Sequence, residues 1–191
     1  MCIYLNYCTI TVMPQIQEII QSKIKPKEKQ TRLVEALIDG IISTRELMDY
    51  FVTASDVDKG TCADVMKNVS AQNPTLLAPY IDILLEYINS PLPRVKWGVP
   101  EAIGNMARRY PEETAKAIPY LLKNTTDEIE NTTVIKWCAA YALAEIAKSS
   151  TKSRKELLPI FNEITEKEKN NGVKNVYLKA MKSIKAEDSK R

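Results

Sequence analysis

The stretches PRVKWGVPEAIGNMA (Pro93–Ala107) and TVIKWCAAYALAEIA (Thr133–Ala147) each place Lys-Trp ahead of a run of small apolar residues, with Lys96 and Lys136 forty positions apart. Sliding the chain by the same forty residues brings Pro79-Tyr80 onto Pro119-Tyr120, Ala102 onto Ala142, Met106 onto Ile146 and Ala107 onto Ala147. Pro159-Ile160 follows one step later, and Tyr177 takes the Trp position a third time. Several independent positions sharing one offset indicate an internal repeat, and a period of this length belongs to stacked helical units.

The flanking sequence is helical in punctuation. Gly40 stands where a helix C′ residue belongs after KEKQTRLVEALID, Ser43 and Glu46 form a capping box, and Ser55 caps the segment that follows. Asn73-Pro74 opens TLLAPYIDILLEYINS, and PEETAKAIPYLLKN, KSRKELLPIFNEITEKEKNN and VKNVYLKAMKSIKA continue the series. This predicts an all-α chain of about ten helices joined by short connections, so that sequence neighbours run antiparallel. A hairpin of this size cannot bury its apolar stripe alone, so the units must share one continuous core. Ala102, Ala107, Ala139, Ala142 and Ala147 are the positions where adjacent second helices approach closely, and the recurring proline is expected to bend the first helix of each pair.

Composition bounds the chemistry. The chain has 191 residues, 45% hydrophobic and 27% charged, with a net charge of +3 that names no partner. It has no His, which removes Ser-His-Asp and Cys-His nucleophile systems, His proton shuttles and nearly all zinc and iron sites. Cys2, Cys8, Cys62 and Cys138 show no C-x-x-C spacing and read as buried small hydrophobes; free thiols fit a reducing, cytoplasmic compartment. No cofactor, no metal and no enzymatic activity are expected. The apolar start MCIYLNYCTITVM has no basic n-region and is too short to span a membrane. Residues 1–12 are therefore read as a tail or a mis-assigned extension, and residues 13–187 as one domain with its clearest repeats at 74–113, 114–153 and 154–187.

On these residues the chain resembles the HEAT-repeat family of armadillo-like α-solenoids. YINSPLPRVKWGVPEAIGNMA looks like the family's Pro-flanked turn and second helix, VIKWCAAYALAEIA is similar, and residues 34–72 carry only an echo, with Met66 at the Met106 position and Cys62 at the Ala102 position. The resemblance implies a right-handed α-α superhelix whose second helices line a concave surface. It also implies a ladder of basic residues paired with turn acids. Here the basic positions hold Lys96 and Lys136 and the turn positions Ser90 and Glu130, so only Glu130 with Lys136 makes the ionic form. Pro100 departs from the pattern and should kink the second helix near Trp97.

In the family the residue after the basic position tends to face outward, toward the concave side. Helical spacing then groups Trp97, Glu101, Gly104 and Arg108 on one face, repeats it as Trp137, Tyr141, Glu145 and Lys148, and adds Tyr177. Aromatic rings among cations suit a protein partner, or alternatively single-stranded nucleic acid. The plainer alternative is that each ring packs flat on the neighbouring helix and closes the core. Arg94, Lys96, Arg108, Arg109, Lys136 and Lys148 form a basic stripe that Glu101, Glu112, Glu113 and Glu145 interrupt. HEAT-like alkyl-base DNA glycosylases use concave aromatics with an Asp and an Arg, but no Asp lies on these faces. The charge-rich end from Glu163 onward reads as a polar capping helix and tail, with a basic arm as the lesser alternative. Deleting residues 1–12 is expected to leave folding intact, and a large drop in Tm of the truncated protein would contradict this.

Overall fold

The computed structural model describes residues 15–126 and 132–189. Among them there are eleven α-helices and no strand: α1 (Gln15–Gln21), α2 (Pro26–Ile38), α3 (Thr44–Thr53), α4 (Asp56–Gln72), α5 (Ile81–Tyr87), α6 (Pro93–Met106), α7 (Pro111–Ala115), α8 (Ile118–Thr126), α9 (Thr133–Ser149), α10 (Thr151–Lys167) and α11 (Asn171–Asp188). The readings for residues 1–12, Cys2, Cys8 and Glu130 fall outside the described residues.

Capping follows the expectations. Ser43 Oγ accepts from the Glu46 N–H at 3.1 Å, and Ser55 Oγ accepts from the Asp58 N–H at 3.3 Å. Gly40 has φ +72°, the left-handed conformation that ends α2. The prolines behave less uniformly than the repeat implied. Around Pro79 the chain makes two 3-10 turns, Pro74–Leu76 and Ala78–Tyr80, before α5 begins. Near Pro119 the expected single helix is split into α7 and α8, whereas Pro159 is accommodated inside α10. A proline lacks the N–H that would bond the carbonyl four residues back, and each unit absorbs that loss differently. Pro100 also lies inside a continuous helix, α6.

The second helices pack in chain order, α2 on α4, α4 on α6, α6 on α9 and α9 on α11, while α1, α3, α5, α8 and α10 each pack on the helix that follows. One core cluster runs through all of them, from Ile16 and Leu33 to Tyr177 and Ile184. Small residues set the spacing. A Cβ on Gly98 would stand 3.0 Å from the Ala63 carbonyl oxygen, and one on Gly104 would stand 3.0 Å from Ala142 Cα.

The caps also give the true register. Leu92 to Thr132 is forty residues, but Thr132 to Asn170 is thirty-eight. The third unit is two residues short, so Lys174 and Asn175, not Tyr177, align with Lys-Trp. Tyr177 takes the core position of Val99 and Ala139, and all three are fully buried. Likewise Ser55 to Leu92 is thirty-seven residues, which aligns Cys62 with Val99 and Met66 with Ile103 rather than with Ala102 and Met106.

Ala142 is fully buried against α6. Ala142→Leu should therefore overpack the α6–α9 contact and cost roughly 1–3 kcal/mol. An unchanged midpoint in chemical denaturation would show that the contact can open freely.

Candidate interaction surface on the second helices

The eight residues singled out by sequence divide into three groups. Trp137 is 38% exposed and Arg108 is exposed; Trp97, Glu101, Tyr141, Glu145 and Lys148 are half-buried; Tyr177 is fully buried. Tyr177 packs its ring 4.8 Å from that of Phe161 at a tilt of 51°. It belongs to the core and not to the surface row, a correction that follows from the shortened third unit. Burial, foremost, and the nearby Glu168 charge push its phenol up, with Thr125 pulling the other way.

The remaining residues join α6 to α9. The Trp137 indole stacks on Tyr141, one turn along the same helix, with centroids 5.8 Å apart and planes within 4°. Tyr141 lies flat over Gly104, where a Cβ would meet its Cε1 at 2.9 Å. Its hydroxyl donates to Asn105 Oδ1 at 2.6 Å, and the Asn105 amide donates to the Lys67 carbonyl and to Ser70 Oγ, both at 3.1 Å. Beside this chain, Cys138 Sγ donates to Glu101 Oε1 at 3.3 Å, and Lys67 Nζ stands 3.8 Å from the same oxygen. Of the three rings in the series, Tyr177 is in the core as the plainer alternative holds, Trp97 is half-buried, and Trp137 is 38% exposed. Trp137 leans on its own helix, and Tyr141 spans to α6 through a hydrogen bond.

Asn105, Lys67 and Ser70 were missed by sequence reasoning. The one available signal was Asn105 itself, an amide inside the small apolar run of PEAIGNMA.

Acids neutralise much of the expected basic stripe. Arg94 pairs with Asp64 at 2.5 Å, and Lys148 pairs with Glu145 three residues back. Lys136 reaches Glu168 at 3.7 Å, and both side chains are largely covered, with 13% and 10% of each exposed. Glu168 precedes its N-cap by two residues, as Ser90 does, and Glu168 Oε1 accepts from the Asn170 N–H much as Ser90 Oγ accepts from the Leu92 N–H. Lys136 thus pairs with the acid of the turn that follows, whereas Lys96 makes no ion pair among the described residues. Arg108 makes no ion pair among the described residues.

One cleft of about 270 Å³ lies beside Lys136, Ile160 and Glu168, next to the row. Another of about 310 Å³ opens between α2 and α4 beside Val34, Ile38 and Asn68, and one of about 720 Å³ lies beside Glu46, Tyr50 and Asp58. Among the described residues no cluster of acids and cysteines has metal-ligating geometry, and no helix is long and apolar enough to cross a membrane.

Both described thiols are buried. Burial, then the Asp58 charge, push Cys62 from its ordinary 9.0 up to about 12, with Arg94 opposing. Cys138 is raised by burial first, then by the charge and hydrogen bond of Glu101. These groups are held neutral in the fold. The stability they support is complete below the ordinary thiol value and is lost as pH rises toward their folded values. The urea midpoint should accordingly fall between about pH 9 and about pH 12, and a midpoint independent of pH there would contradict it. Tyr141→Phe should cost about 1 kcal/mol, because it leaves Asn105 Oδ1 without its donor; equal denaturation curves would show that water replaces the bond. The sequence matches no family model, no curated protein and no solved structure at a significant level.

Proposed function

We propose that the chain is a right-handed α-α superhelix of HEAT-like hairpins that acts without catalysis, as a cytoplasmic interaction scaffold. Its protein partner docks on the concave surface formed by the second helices. The observation that carries this reading is the exposed Trp137 ring, stacked on a Tyr141 whose hydroxyl is fixed by Asn105. A held ring offers a large contact area and loses little freedom on binding, which is what an interface anchor requires. Trp97, half-buried one unit earlier, and the exposed Arg108 extend the same row. The ordered packing of α2, α4, α6, α9 and α11 supports the superhelix.

Nucleic acid on this same face is the weaker reading. Three of the six cations of the proposed stripe, Arg94, Lys136 and Lys148, already face carboxylates. Phosphates would have to displace those acids or bind beside them.

The test begins with a partner recovered by pull-down from the native host, followed by affinities measured at two salt concentrations. Trp137→Ala should weaken a protein partner by about 2 kcal/mol, with little salt dependence. Arg108→Ala with Lys148→Ala should change association more than residence time. If the double variant abolishes binding and affinity collapses with salt, the face binds phosphates. If all variants bind like the parent, the working surface lies elsewhere.

A further inference from the structure

The lysines of the last helix stand outside the ion pairs that join the others. On α4, α6 and α9, Lys67, Arg94, Lys136 and Lys148 each stand within ion-pair distance of a carboxylate, and Lys59 and Lys96 pair with none among the described residues. On α11, Lys174, Lys179, Lys182 and Lys185 pair with none among the described residues. The two acids of α11, Glu187 and Asp188, are held by Arg154 from α10, at 3.2 and 2.5 Å. They are therefore unavailable to neutralise the lysines.

Helical geometry places these lysines together. Val173, Tyr177, Ala180 and Ile184 form the buried stripe of α11. Lys179, Lys182 and Lys185 are exposed opposite it, Lys174 is half-buried at its edge, and Asn175 and Leu178 are exposed between them. At the helical rise, Lys174 to Lys185 spans about 16 Å. No described helix packs beyond α11, so this face is open as well as basic.

We infer that the open face of α11 binds the phosphate backbone of a nucleic-acid duplex, without reading its sequence. Four unneutralised ammonium groups along one helix complement a polyanion, and lysine acts there as a mobile point charge rather than a geometric fork. Three further features select the duplex. The face carries one large exposed apolar residue, Leu178 at 42%, far less than an interfacial helix needs to enter a membrane. It has no aromatic or Arg anchor of the kind that centres a protein interface. It also has no exposed ring on which unpaired bases could stack. By the spacing of the caps, Asn175 and Lys179 take the positions of Trp137 and Tyr141, so this face adjoins the Trp137 row on the next helix, but its charge does not depend on the function proposed for that row.

The experiment is fluorescence anisotropy of the full chain with a labelled DNA duplex of about two helical turns. Anionic phosphatidylserine vesicles, poly-glutamate and single-stranded DNA serve as competing probes. With four phosphate contacts, the slope of log affinity against log salt should be about −3.6, a fall of roughly 150-fold between about 50 and about 200 mM salt. Lys179→Gln with Lys182→Gln should halve that slope and reduce the fall to roughly 12-fold. These side chains are exposed, so circular dichroism should confirm an unchanged fold. Trp137→Ala should bind the duplex like the parent. The inference is overturned if the duplex does not bind, if the double lysine variant keeps the parent slope, or if Trp137→Ala abolishes duplex binding. Tighter binding of vesicles, poly-glutamate or single strands than of the duplex overturns it equally.

Discussion

The close contact between second helices is the constraint on which the other features rest. At Gly98 the backbone of α6 meets Ala63, and at Gly104 it meets the Tyr141 ring and Ala142 Cα. Helix pairs this short of internal core can be stable only by sharing one, and the sharing requires that approach. The proposed interaction surface depends on it too. Tyr141 can lie across α6 because Gly104 leaves room for its ring, and from there it reaches Asn105 and supports Trp137.

Much of the fold was legible because it was written in patterns with a physical period. Caps, Gly40, and the paired Lys-Trp runs located most helices and showed which pack together. What escaped lay where no period operates. The turn before α11 is polar, so nothing marked it as two residues shorter, and Tyr177 was aligned by its ring with Trp137 when burial places it with Val99 and Ala139. The ring of a buried Tyr and that of an exposed Trp look alike in a string of letters; only the neighbouring apolar positions tell them apart. Asn105 escaped for another reason. Its role is to bond two flanking helices at once, a long-range arrangement that local spacing does not contain.

Polar groups between the second helices are arranged as a relay between units and not as isolated surface pairs. Lys67 and Cys138, from the helices on either side, meet the same Glu101 oxygen, and Asn105 bonds partners on both α4 and α9. Partly covered groups linked in this way fix the register of sliding helices, since displacement along the axis would leave buried donors unmatched. Lys136 with Glu168 plays the same role across the next junction, where it ties a helix to the following turn. The apolar core favours stacking in general, and these bonds select one alignment.

The broken first helices have a consequence for motion. The second helices α4, α6, α9 and α11 are continuous over 17, 14, 17 and 18 residues. On the opposite layer, α5 has 7 residues after two 3-10 turns, and α7 and α8 have 5 and 9. Short segments have more frayed ends and fewer bonds to break together, so they open at lower free energy than the helices they cover. The first helices are thus segmented at α5, α7 and α8, whereas α10 runs unbroken over 17 residues. Slow amide exchange should concentrate in α4, α6, α9 and α11, while α5, α7 and α8 exchange sooner.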